Sequence, residues 1–161
     1  MADRVNWLKN CLDAFWAVVQ AEEKIVDIFG GKWVKKDMSD GKQLAHERAP
    51  FLAAWLGVPE VIWFAAGSMR GQIEINVLGV VVSGDREDYT NPTQAYVDLA
   101  GCLEEDLAKQ DGSSILRNVG RVIGLEVMNP AFTYGRDTER DEGVYFISFS
   151  VRCNIDKRPS C

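Results

Sequence analysis

From Val144 to Ile155 the chain places an apolar residue at every odd position from 145 onward: Tyr145, Ile147, Phe149, Val151, Cys153 and Ile155. The even positions pass from apolar to small and polar. Alternation of this length predicts a strand with one fully buried face. The segment from Arg136 to Gly143 is charged, and a strand-like run ending in Phe132-Thr133-Tyr134-Gly135 precedes it. The chain is therefore expected to close with a long hairpin whose tip is polar and charged. Gln72-Ile73-Glu74-Ile75-Asn76-Val77 alternates in the same way and runs on through Leu78 to Val82 as a more buried strand. Gly79 inside that run predicts a bulge or a close backbone approach.

A second period appears near the start. Trp7, Leu8, Cys11, Leu12, Phe15, Val18 and Val19 recur at spacings of three and four, which predicts a helix over residues 5–22 with a wide apolar stripe. Ile25 to Phe29 either extends that helix or forms a short strand, and Gly30-Gly31 ends it. Lys32 to Lys36 reads as an exposed edge strand whose lysines discourage edge-to-edge pairing. Asp37 to Glu47 reads as a polar loop. Pro50 to Gly57 is an apolar run with the character of a buried strand, Val58 to Ala66 continues apolar, and Gly67 to Gly71 reads as a turn.

Asn91-Pro92 predicts a helix start, with Asn as N-cap and Pro in the first helical position. That helix is expected to run to about Gln110, with Ala95, Leu99, Cys102, Leu103 and Leu107 on one face. Ser113 to Asn118 adds one turn, a strand follows from Arg121 to Met128, and Asn129-Pro130 interrupts it. The predicted fold class is α+β, a largely antiparallel β-sheet with two helices packed on it. The whole of 1–161 is expected to form a single domain, with 24–48 as an extended insertion or arm and 156–161 as a flexible tail.

Length and composition agree with that reading: 161 residues, 47% apolar and 26% charged, suit one soluble globular domain. A formal net charge of -6 argues against a protein held mainly by nucleic-acid phosphates, which calls for clustered Lys and Arg. It suits a channel wall past which nucleic acid slides. Met1 to Trp7 lacks the pattern of a signal peptide, and no apolar run approaches the ~20 residues of a membrane span, so cytoplasmic synthesis and no membrane partner are expected. Cys11, Cys102, Cys153 and Cys161 are scattered without a CxxC pair, and His46 is the one imidazole, so no metal site and no cofactor are expected.

No phosphate loop, dinucleotide fingerprint, metalloprotease helix or nucleophile elbow is present. Two charged loops hold the remaining chemistry: Asp85-Arg86-Glu87-Asp88, and the Arg136-Asp137 to Glu139-Arg140-Asp141-Glu142 region. Their carboxylates are interleaved with arginines and lack calcium-loop spacing. Mixed-sign loops of this kind suit contacts between subunits, where charge sets register and partner. Trp7, Trp16, Trp33, Trp55 and Trp63 belong either to the core or to an interface, where Trp is enriched.

The order of elements resembles the tail terminator proteins of long-tailed bacteriophages, the lambda-like minor tail protein U family. The features that carry the resemblance are the first helix, the proline-led strand Pro50 to Gly57, the long strand from Gln72, and the second helix. The hairpin approach Phe132-Thr133-Tyr134-Gly135-Arg136-Asp137 and the last strand Tyr145 to Ile155 complete them. The chain departs from that pattern in its longer 24–48 segment and after Ile155, which leaves open a related neck or head-completion protein of the same fold. The resemblance implies a non-enzymatic virion protein of the tail–neck region, assembled in the host cytoplasm. It also implies a homo-oligomeric ring, as a rule a hexamer. Such a ring caps the tail tube, stops its polymerisation, and meets the tail tube protein on one side and a neck or head–tail connector protein on the other. DNA passes through it without specific binding. On this reading Asp85, Arg86, Glu87, Asp88, Arg136, Asp137, Glu139, Arg140 and Asp141 are the candidate subunit or tube contacts. Two other classes remain: a small enzyme using the loop carboxylates, and a monomeric ligand-binding α+β domain with a Trp-lined pocket.

Overall fold

A computed structural model describes residues 2–35, 49–57, 60–65, 68–82, 90–137 and 142–157. Helices α1 (Ala2–Ala21) and α2 (Glu23–Phe29) lead into strands β1 (Trp33–Lys35), β2 (Phe51–Leu56), β3 (Glu60–Ala65) and β4 (Ser68–Val82). Helices α3 (Thr90–Ala108) and α4 (Ile115–Asn118) follow, and β5 (Val122–Asp137) and β6 (Glu142–Lys157) close the chain. The sheet has six strands in the order β1-β2-β4-β6-β5, with β3 paired to β4 off that path. Every pairing is antiparallel except β1 with β2. The fold is thus a single α+β domain with a largely antiparallel sheet, as the alternating segments predicted.

One face of the sheet carries the core. All six odd positions of β6 from Tyr145 to Ile155 are at most 3% exposed, beside Ile73, Ile75 and Val77 of β4 and Leu52 and Ala54 of β2. Cys11, Leu12, Phe15, Val18 and Val19 of α1, Ile25 and Phe29 of α2, and Ala95, Leu99 and Leu103 of α3 close over them. The β4 glycine makes a close approach and no bulge: a Cβ at Gly79 would lie 2.9 Å from the Phe29 ring, while its pairing with Leu52 and Ile147 is regular.

Several expectations change. Two helices were expected, and α2 and α4 add two short ones. Ile25 to Phe29 is neither an extension nor a strand. The backbone turns extended at Glu22, α2 restarts with Ile25 and Phe29 one turn apart on its buried side, and Gly30 closes it in the left-handed conformation (φ 62°). The arm expected from residue 24 is therefore helix and edge strand as far as Lys35, while 36–48 lie outside the described residues. The expected turn at 67–71 is narrower, because Ser68 to Gly71 already pair as β4. Helix α3 begins at Thr90, so Asn91 is inside it, and Pro92 sits in the first turn, where its missing N–H is harmless. Asn129-Pro130 does not end the strand. Asn129 takes a positive φ of 56°, the register slips between Met128 and Ala131, and β5 continues to Asp137. Asp156 and Lys157, expected in the tail, belong to β6, and Asp156 accepts an ion pair from Arg70 at 3.4 Å.

One buried carboxylate anchors the turn that launches β5. Asp106 is 3% exposed and accepts from Ser114 Oγ (3.1 Å), Leu116 N (2.9 Å) and Ile115 N (3.2 Å). Ser114 Oγ in turn accepts from Arg117 N. A residue of α3 thereby caps the free N–H groups of α4 across the fold. Beyond α4, a Cβ at Gly120 would lie 3.1 Å from that of Ala14, so the chain passes tightly under α1 before β5 begins.

Candidate functional site

The face of the sheet away from the helices divides into two halves. Over β1, β2 and the end of β4 it holds a second, smaller apolar cluster: Val34, Phe51, Ala53, Val80 and Val144, with Trp55 and Leu78 against it. Over β4, β6 and β5 it is polar and partly or fully exposed. Gln72, Glu74 and Asn76 stand beside Asn154, Arg152 and Ser150, with Glu126 beyond. Arg152 lies in register between Glu74 and Glu126, an opposite-charge row across three strands that stabilises their pairing. Next to it Ser150 Oγ donates to Asn76 Oδ1 at 3.2 Å. The sequence held the signal for this face in the polar even positions of β6.

The hairpin extends past the end of its neighbour. β4 stops at Val82, opposite Val144, whereas β5 and β6 pair two rows further, Arg136 with Gly143 and Asp137 with Glu142. Val82 and the last pairs of the hairpin therefore stand at one end of the sheet. Of the predicted contact residues, Arg136 is exposed at that end and Asp137 is the last residue of β5. Asp85, Arg86, Glu87, Asp88, Glu139, Arg140 and Asp141, like His46, lie outside the described residues. The expected charged loop over 136–143 is shorter, because 136–137 and 142–143 are strand. At this end the Phe146 ring lies over Gly135, where a Cβ would come within 2.8 Å of it. Phe146 is 38% exposed there, an aromatic set on the open face.

A cleft of about 300 Å³ opens near the same end, between α2, the start of α3 and the end of β4. Ile28, Pro50, Val81 and Val82 form its apolar part, and Asn91 and Gln94 supply two amides. Its described lining contains neither a tryptophan nor a titratable group. Trp16 is buried edge-on against Phe15 and Trp33, with the Lys35 ammonium 5.7 Å above it, so two of the five tryptophans belong to one packed cluster. Trp55 is half-buried on the smaller cluster of the other face.

Among the described residues no three His, Cys, Asp or Glu side chains come together as a metal site. Burial, reinforced by Glu22 and Glu105, pushes the Cys102 thiol up to about 12, and contact with Cys153 together with burial raises Cys11 as well. Both thiols are packing groups held in the neutral form, the reverse of an activated nucleophile.

Among the described residues the sheet has lateral edges at β1, β3 and β5. β5 is sixteen residues long, and among the described residues no strand pairs with its outer side. Ile123 (55% exposed) and Phe132 (40%) project from it, and Val119 (47%) ends the turn that leads into it. The sequence showed two separate strands here and so concealed the length of this edge.

No family model matches this chain, and no curated protein matches it. Among solved structures, the chain is similar to one from "Virion of native gene transfer agent (GTA) particle", at 13% identity, 87% coverage of this chain, 91% coverage of that one, and a TM-score of 0.47. A TM-score of this size does not establish a common fold, and the functional reading rests on the molecule's own surfaces.

Proposed function

We propose that this protein is a virion structural protein of the tail-terminator kind, acting by assembly without catalysis. Copies close into a ring that caps a tail tube and offers its other side to a neck or connector protein. The observation that carries this reading is the asymmetric sheet. Helices seal one face, and the other holds a small apolar cluster over β1 and β2 and a polar surface over β4, β6 and β5, with Arg136 near the end of the overhanging hairpin and a β5 edge that no described strand pairs. Such a surface is built for contact with other proteins rather than for enclosing a substrate. The α+β order that suggested the family also matches it: first helix, Pro50-led strand, long β4, second helix and final hairpin. A neck or head-completion role would use the same surfaces, and partner choice separates the two.

The test is assembly of a long-tailed phage's tail tube protein with and without this chain, with tube lengths measured by electron microscopy. The reading expects shorter tubes bearing extra density at one end. Reversing Arg136 and Arg140 to Glu should return the lengths toward those of uncapped tubes. An unchanged length distribution with bare ends would contradict a terminator role, and binding to a connector protein alone would favour the neck role.

A further inference from the structure

We propose that the outer edge of β5 pairs antiparallel with the β5 edge of a second copy, about a two-fold axis at the Asn129-Pro130 bulge. The bulge is what makes the strand self-complementary. Before it, odd residues face the helices: Leu125 and Val127 lie opposite Cys153 and Val151. After it, even residues do: Phe132 and Tyr134 lie opposite Ile147 and Tyr145. The bulge sits at the middle of Val122–Asp137. A second register slip, between Val122 and Gly124, bounds this pattern, so over Gly124 to Gly135 a two-fold axis at the bulge sets each paired residue of the first half against one of the second half on the same face of the sheet.

In that register Leu125 meets the partner's Tyr134 and Val127 meets the partner's Phe132 on the helix side. Glu126 meets the partner's Thr133 on the open side, and every contact occurs twice. Aromatic residues then stand opposite aliphatic ones, and the exposed Phe132 is covered. Glu126 faces an uncharged Thr and Gly124 faces the partner's Gly135, so like charges are not juxtaposed over this stretch. The helices of both copies stay on one side of a continuous sheet. The occupant is a second copy, because the strand set against itself matches in face and in charge from Gly124 to Gly135.

This contact is isologous and closes at two copies, whereas a polar ring needs a head-to-tail contact. The inference therefore stands or falls apart from the ring, and it describes how the free protein covers an edge that would otherwise invite aggregation.

The test is the double variant Glu126→Cys/Thr133→Cys, both sites exposed on the open face. Within one chain they lie seven positions apart along β5, about 20 Å, so a disulfide joins two copies only. Paired antiparallel residues lie about 4.5–5.5 Å apart at Cα, inside the range a disulfide spans. Mild oxidation with oxidised glutathione, which accepts the two electrons and two protons of the thiol pair, should convert most of the protein to a covalent dimer of twice the 18.0 kDa chain. Either single variant should give at most a few per cent. Phe132→Glu should shift the uncross-linked protein toward one-chain mass in light scattering, with its circular dichroism unchanged. A double variant that stays monomeric on oxidation while remaining folded overturns the inference, as does equal cross-linking of the single variants. A larger oligomer that Phe132→Glu leaves intact would support the ring and overturn this pairing.

Discussion

Phe146 and Phe149 lie three residues apart on one strand and have opposite fates. Phe149 is 3% exposed, with the Tyr96 ring edge-on at 5.2 Å. Phe146 is on the other face, 38% exposed, resting on Gly135. The same contrast holds where Gln72 to Val77 pair with Phe149 to Asn154. The helix-side positions there are Ile73, Ile75, Val77, Phe149, Val151 and Cys153, and the opposite positions are Gln72, Glu74, Asn76, Ser150, Arg152 and Asn154. A sheet needs one buried face to fold. What stands on the second face is then free to serve contact with other molecules, and over β4, β6 and β5 it is largely polar and runs to an edge that no described strand pairs.

The largest effect that would sharpen this contrast is on the covered face. Phe149→Ala should cost ~3–5 kcal/mol in urea unfolding, because the ring leaves a cavity that fixed helices cannot fill. Phe146→Ala, the same change on the other face, should cost about 1 kcal/mol or less, since much of the ring is already in water. Equal losses at the two sites would break the comparison. Asp106→Ala should cost about 2–3 kcal/mol, because the groups it satisfies at the start of α4 are buried with it. Hydrogen exchange should show the loss concentrated in α4 and the start of β5.

Alkali should act through the covered face as well. Cys102 is held neutral up to about 12 against an ordinary 9.0, so the unfolded chain loses its proton first. The thiol's contribution is complete below pH 9 and is lost as pH rises toward 12. Between pH 8 and 10.5 the wild type should lose about 1–2 kcal/mol more than Cys102→Ala, measured by urea midpoints. Smallest of all, Ser148→Ala on the open face should move stability by no more than about 0.5 kcal/mol.

Much of this was legible in the sequence because period-2 alternation reports burial directly. The odd positions of β6 and the β4 run could be read as the core side of a sheet, and the α1 stripe as its cover. Three things were not legible, each for a physical reason. Asn129-Pro130 looks like a break, yet a bulge absorbs both residues while the ladder resumes, so the length of β5 was hidden. Asp106 follows Glu104 and Glu105, and nothing in that acidic run marks one member for burial. Its burial depends on α4 folding back beneath it, a tertiary event with no local signature. Ile25 to Phe29 is too short for either period to be decisive, and packing of Phe29 on Gly79 selects helix. Of the candidate contacts, sequence located the charged hairpin but placed its tip too wide. It gave no sign that no described strand pairs with the outer side of β5, because edge status is a property of sheet order.

On the proposed reading, the open face and edge of this sheet meet other copies and other virion proteins. Light scattering after gel filtration, across a wide concentration range, tests this most directly. Species at whole multiples of the 18.0 kDa chain are expected: two for the β5 pair, and about six for a closed ring at high concentration or on a tube end. A protein that stays at one chain mass at every concentration, and on exposure to tail tubes, would contradict it.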